Sequence, residues 1–145
     1  MKKKIILAVA VVLVAIQFVP AIPETGPEPR ETSLLVREDI PAEIKSILAE
    51  ACADCHSQGV SWPWYAHVAP VSFFVGHHVK EGREHFNLSE WGNYDAEKKA
   101  HKIEELEEMV SEKEMPLESY TWMHRDAQLS DTQRETLIAY FKGLE

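Results

Sequence analysis

Both cysteines of this 145-residue chain stand within one run of five residues, Cys52-Ala53-Asp54-Cys55-His56. Side chains three apart on a helix lie on the same side, so both thiols can reach one edge of a common partner. The histidine that follows can turn its imidazole beneath that partner. C-x-x-C-H is the attachment pattern of c-type haem, and histidine is the usual proximal iron ligand. The motif predicts one covalent haem c held by Cys52, Cys55 and His56.

The N-terminus has the pattern of an export signal. A lysine cluster at residues 2–4 precedes an apolar run over residues 5–19, which only Gln17 interrupts. Residues 1–21 are therefore predicted to be a signal peptide or an N-terminal membrane anchor. No Ala-x-Ala cleavage site follows, and residues 5–22 are just long enough to span a bilayer. The rest of the chain is expected on the periplasmic side, anchored in the inner membrane by residues 5–22 if the segment is retained.

Composition shifts after this segment. Residues 22–38 are rich in Pro, Glu and Thr, which is typical of an extended tether. The whole chain has 15 basic and 24 acidic residues; three lysines and no acidic residue lie in residues 1–21, so the exported part has 12 basic and 24 acidic residues and a net charge of −12. This charge argues against a nucleic-acid-binding role, which needs a basic face. It favours a redox partner protein that has a basic docking patch.

Residues 39–145 are predicted to form the haem c-binding domain. Their apolar residues recur with helical spacing, and no convincing alternation of period two appears. The four helical stripes are Ile40, Ile44, Ile47, Leu48 and Ala51; Val71, Phe74, Val75, His78, Val79 and Gly82; Ala96, Ala100, Ile103, Leu106 and Val110; and Leu137, Ile138, Phe141 and Leu144. Asp39, Asp95 and Ser130 are the expected caps, the last in a capping box with Gln133. The pattern predicts an all-α domain of about four helices, joined by long ordered loops at residues 57–70 and 115–129.

Three other uses of a cysteine pair compete with haem attachment. A disulfide between Cys52 and Cys55 is compatible with export. A thioredoxin-like site needs a βαβ context, which the sequence lacks. A zinc site needs two further ligands at finger-like spacing. The motif uses both cysteines of an exported chain and stands at the end of an amphipathic helix, and this favours haem.

A series of short motifs follows in fixed order after Cys-Ala-Asp-Cys-His-Ser. They are Trp62-Pro63-Trp64-Tyr65, Ala69-Pro70-Val71-Ser72, His78-Val79, Glu81-Gly82-Arg83, Leu88-Ser89-Glu90-Trp91, Met115-Pro116-Leu117, Tyr120-Thr121, His124 and Leu129-Ser130-Asp131. The series resembles the bacterial single-haem "haem-binding domain" family of c-type cytochromes over nearly all of residues 39–145, and Ile16-Gln17-Phe18 resembles that family's anchor. The resemblance implies a cytochrome c-like fold. In such folds the first helix ends in the motif, a late loop carries a methionine ligand, and the last helix packs across the first.

A sixth iron ligand is needed for fast electron transfer. Met115 is predicted to supply it, because it follows an acidic helix, precedes the loop-stiffening Pro116 and comes shortly before the last helix. Packing in the core is the other use of such a methionine. His78, on the second stripe, is the rival ligand, with Met123 and His124 next in line.

Other residues are expected to line the haem. The aromatic residues that closely follow the motif are Trp62, Trp64 and Tyr65, which either wall the haem or pack in the core. The free ring nitrogen of His56 is expected to bond a backbone carbonyl, for which Pro63 and Pro70 are the candidates.

These features predict an exported single-haem cytochrome that carries electrons between redox partners and is not an enzyme. The tether would let the domain swing between those partners. The alternative is a haem-based ligand sensor or small peroxidase with an open or weakly filled sixth position, in which His78 is the distal group. A haem-free module with a Cys52–Cys55 disulfide is the third hypothesis.

Overall fold

The structure, a computed structural model, describes residues 1–144. Over these residues the chain is all-helical and contains no strand, which confirms the predicted class. The α-helices are α1 (Lys2–Ala15), α2 (Ala42–Ala51), α3 (Ala53–His56), α4 (Val71–His85), α5 (Ala96–Ser111), α6 (Glu118–Thr121) and α7 (Asp131–Lys142). Short 3-10 helices span Ile16–Phe18, Leu34–Val36, Trp64–His67, Leu88–Asn93 and Arg125–Ala127. The four predicted stripes correspond to α2, α4, α5 and α7.

Two of the three expected caps are confirmed. The Asp95 carboxylate accepts the backbone N–H of Lys98 at 2.8 Å and begins α5. Ser130 and Gln133 form a complete capping box at α7. Asp39 was wrongly predicted as a cap, because Pro41 occupies the N-cap position of α2 and the Asp39 carboxylate pairs with Arg37 instead.

The core lies where α2, α5 and α7 pack together. Its fully buried members include Leu48 of α2, Ile103 of α5 and Phe141 of α7. Trp91, from the Leu88–Asn93 turn, closes the cluster with its ring 5.6 Å from that of Phe141. Helix α3 continues from the end of α2, so this packing sets the position of the cysteine motif.

The predicted loops contain structure of their own. The 3-10 helix Trp64–His67 lies inside residues 57–70, and α6 and Arg125–Ala127 lie inside residues 115–129. These short helices lack the length that would give a periodic sequence signal. They matter because they bring aromatic and histidine side chains to one side of the cysteine motif.

Residues 22–38 have no regular structure over residues 23–29, contain the 3-10 helix Leu34–Val36, and do not form a free tether. The Glu28 carboxylate accepts hydrogen bonds from Ser33, Ser89 and the backbone N–H of Gly59. Leu34 is fully buried in the core. The segment is therefore packed against the domain, and the boundary predicted at residue 38 falls inside a packed unit.

The N-terminal helix is attached to the same unit at its C-terminal end. The Gln17 side-chain amide accepts the backbone N–H of Ala69 at 3.0 Å and donates to the Ala69 carbonyl at 3.2 Å. Residues of α1 itself are exposed on all sides. Among residues 1–144, no helix is both long enough and apolar enough to cross a membrane.

Candidate functional site

The cysteine motif forms a tight turn at the end of α2. The Cys52 carbonyl accepts the backbone N–H groups of Cys55 and His56 at 3.1 and 2.9 Å, which begins the single turn of α3. Both cysteines are free thiols. Cys52 packs against the core cluster, whereas Cys55 faces a cavity.

Both thiols are held in their protonated form. Burial raises the pKa of Cys52 to about 12, and the neighbouring Cys55 adds to the shift. Burial, with help from Asp54, raises the pKa of Cys55 to about 11. A protonated thiol is a weak nucleophile, so neither cysteine is activated for disulfide exchange in this environment. Within residues 1–144, no group of three or more His, Cys, Asp or Glu side chains is arranged to hold a metal ion.

The imidazole of His56 is oriented by a carbonyl from the end of α4. Its Nδ1 atom lies 2.7 Å from the carbonyl oxygen of Phe86, so Nδ1–H donates and Nε2 keeps its lone pair. Burial lowers the pKa of His56, which favours the neutral ring. The candidate carbonyls Pro63 and Pro70 were therefore wrong. Phe86 replaces them because the end of α4 packs directly on α3.

Gly82 allows α4 to pack closely against α3. A Cβ atom at this position would lie 2.8 Å from the Cys55 carbonyl oxygen and 3.4 Å from the Cys55 Cβ. Any larger residue would push α4 away from α3 and withdraw the Phe86 carbonyl from His56. Gly82 is thus a packing requirement of the motif.

An apolar cavity of about 380 Å³ opens beside the motif, within the usual size range of small-molecule sites. One wall is α4, which contributes the stripe Val71, Phe74, Val75, His78 and Val79. A second wall comes from residues 117–124, and Trp62 to Tyr65 contribute a third. Several side chains at the mouth are largely exposed, including Trp64 and Trp122.

The cavity brings together most of the predicted site residues. Those that line it are Cys55, Trp62, Trp64, Tyr65 and His78. Among the described residues, the cavity lining does not include Cys52, His56 or Met115. Met115 packs against the core cluster, its carbonyl bound by Arg134 at 2.6 Å. Its proposed role as sixth ligand therefore stays a prediction that the cavity does not support.

A hydrogen-bonded chain in the cavity wall was not anticipated. Tyr65 Oη lies 3.1 Å from His124 Nε2, and His124 Nδ1 lies 3.1 Å from the Tyr120 carbonyl oxygen. The Tyr120 hydroxyl donates to Asp54 Oδ2 at 2.9 Å, inside the cysteine motif. Its sequence signal was limited to the order of the short motifs, because Asp54, Tyr65 and the Tyr120–His124 pair lie far apart in the sequence.

His78 has a simpler environment. Its Nδ1 atom lies 2.8 Å from the Phe74 carbonyl oxygen one turn earlier, and its ring packs 4.3 Å from the Phe74 ring. The apolar stripe of α4 on which His78 lies does face the cavity. His78 belongs to the same helix whose C-terminal end holds His56.

Comparison with known proteins adds one finding. Residues 11–143 match the family described as "Haem-binding domain". The match begins well before residue 39 and so includes the packed segment 22–38. No curated protein and no solved structure matches the chain.

Proposed function

Because the chain belongs to the haem-binding domain family, we propose that it is an exported, single-haem c-type cytochrome that carries electrons between redox partners. Haem binding follows from the family. Covalent attachment through Cys52 and Cys55, axial ligation by His56, and the role of electron carrier are the parts that we add.

One observation carries the proposal: His56 Nδ1 is bound to the Phe86 carbonyl, next to a cysteine that lines an apolar cavity. A carbonyl on one ring nitrogen is the usual support for a metal-binding histidine, because it fixes the ring and leaves the other nitrogen free. Two free, protonated thiols precede this histidine in the attachment spacing. The residues present therefore fit a haem c.

Each residue has a defined task in this proposal. Haem, when bound, supplies one-electron chemistry at its iron. Cys52 and Cys55 would hold it to the chain, and His56 would bind the iron through Nε2, while the Phe86 carbonyl keeps the ring in place. The apolar residues of the α4 stripe, Val75 and Val79 among them, would pack against the haem.

The expected surroundings of the protein are also proposals. The acidic surface favours a redox partner with a basic patch. The basic and apolar N-terminus favours export to the periplasmic side and attachment to the inner membrane. Free swinging on a tether is no longer part of the proposal, since residues 22–38 are packed against the domain.

The deciding experiment asks whether haem stays with the denatured chain. Full-length protein made with c-type maturation would be denatured, extracted with acidic acetone and assayed as its pyridine haemochrome. We expect one haem per chain to remain, with the spectrum of a haem whose two vinyl groups are saturated. Haem that leaves the chain on extraction would refute covalent linkage, and a Cys52–Cys55 disulfide in chains without haem would support the haem-free module.

A sensor or small peroxidase is the second candidate. The observation that favours it is that His78 and His124 both line the cavity and provide distal hydrogen-bonding groups. Carbon monoxide and cyanide distinguish the two functions. Resistance to both ligands supports the carrier, and rapid stoichiometric binding supports the sensor or peroxidase.

A further inference from the structure

We infer that His124 provides the sixth iron ligand of this site and that the Tyr65 hydroxyl competes with the iron for its Nε2 atom. The inference rests on the proposed function, in which haem c occupies the cavity beside Cys55. It replaces Met115, whose side chain packs against the core.

The first support is the hydrogen bonding of the His124 ring. Nδ1 lies 3.1 Å from the Tyr120 carbonyl oxygen, which can only accept, so Nδ1 carries the proton. Nε2 then has the lone pair and accepts from the Tyr65 hydroxyl at 3.1 Å. This is the arrangement of His56, in which a carbonyl holds Nδ1 and Nε2 is the potential ligand.

The second support is the way in which His124 is fixed relative to the cysteine motif. Its ring stacks on that of Tyr120 at 4.2 Å and an angle of 20°. The Tyr120 hydroxyl donates to Asp54 Oδ2, within the motif, at 2.9 Å. A residue that lies between α6 and the Arg125–Ala127 turn is thus tied to the turn that would carry the haem.

The third support is that the other candidates are less suitable. His78 bonds and packs within α4, to the Phe74 carbonyl and ring, and among the described residues none of its hydrogen bonds or ring contacts reaches the cysteine motif. Met123 lines the cavity but is 60% exposed. His77 and His101 lie on the outer surface within 3.4 Å of Glu81 and Glu105.

Iron ligation by His124 would change the role of Tyr65. If Nε2 leaves Tyr65 in order to bind iron, removing the hydroxyl removes a competitor and strengthens ligation. Tyr65→Phe should therefore weaken cyanide binding by about fivefold, the equivalent of one hydrogen bond. A purely structural Tyr65–His124 bond predicts no such change, or the opposite one.

The test uses the full chain with its haem attached, and the readouts are the ferric spin state and the affinity for cyanide. His124→Ala should convert a low-spin spectrum to high-spin and increase cyanide affinity at least tenfold. His124→Met should stay low-spin and gain the near-infrared thioether-to-iron band that the parent protein lacks. This gain of signal keeps the test decisive if His124→Ala does not fold. His67→Ala, an exposed histidine on the neighbouring turn, is the control and should change nothing.

Other outcomes overturn the inference. A near-infrared thioether band in the parent protein that disappears in Met115→Ala assigns the ligand to Met115. High-spin conversion by His78→Gln alone assigns it to His78. A high-spin parent protein shows that no side chain binds the sixth position. All three are distinct from failure of the proposed function, which is the loss of haem from the denatured chain.

Discussion

Glu28→Gln tests whether residues 22–38 are part of the folded domain. The carboxylate accepts Ser33 Oγ at 2.5 Å, Ser89 Oγ at 2.8 Å and the Gly59 N–H at 2.6 Å. Burial alone would raise the pKa of Glu28, but these hydrogen bonds outweigh it and hold the pKa below its ordinary value. Glutamine keeps the shape of the side chain and removes its charge.

The expected loss of stability is about 2 kcal/mol. A hydrogen bond to a charged group contributes about 1 kcal/mol more than a neutral one, and three such bonds are weakened. The Gly59 N–H is exposed and regains a bond with water, so its weakened bond adds little to the loss of stability. Ser33 and Ser89 are fully buried and cannot bond to water instead. The expected loss therefore comes from these two serine bonds, at about 1 kcal/mol each.

Denaturant unfolding of the haem-loaded protein, followed by helical circular dichroism, measures this loss. Glu31→Gln is the matched control, because Glu31 is an exposed acid on the same segment; its effect should stay within about 0.5 kcal/mol. Because the folded-state pKa of Glu28 is lowered, its contribution is complete above the pKa of free glutamate, about 4.3, and is lost as pH falls through the folded-state value. The difference between parent and variant should therefore shrink below that pH. Equal stability of the two glutamine variants at pH 7 would show that the segment is not held as described.

Three further predictions concern the attachment turn and the surface. Cys52→Ala and Cys55→Ala should each lower the haem yield and the melting temperature, because the domain would lose a covalent link to the group that fills its cavity; variants that melt like the parent would contradict this. Gly82→Ala should cost about 1–3 kcal/mol by overpacking against the Cys55 carbonyl, whereas Gly143→Ala, with ordinary contacts, should be nearly neutral. Electron exchange with a basic redox partner, measured by stopped flow, should slow as salt increases; a rate that is insensitive to ionic strength argues against acidic docking.

The features determined by sequence alone are those that depend on neighbours along the chain. The cysteine motif needs only the geometry of one helical turn, and the four stripes need only the period of the α-helix. The Asp95 cap and the Ser130–Gln133 box are contacts between residues three apart. The prediction of Asp39 as a cap failed for a local reason as well, since Asp39 lies two positions before Pro41, the N-cap residue of α2.

The tertiary structure decided everything that depends on distant partners. The carbonyl that holds His56 comes from Phe86, and Tyr65 meets His124 across 59 positions of the chain. Neither contact can be predicted from the sequence. Any residue can present a backbone carbonyl, and the 3-10 helix that contains Tyr65 is too short to show a periodic pattern. The composition of residues 22–38 predicts a tether, yet the buried Leu34 and the Glu28 carboxylate hold these residues to the domain. Composition describes what a segment can do in isolation, whereas burial depends on which surfaces the folded helices present to it.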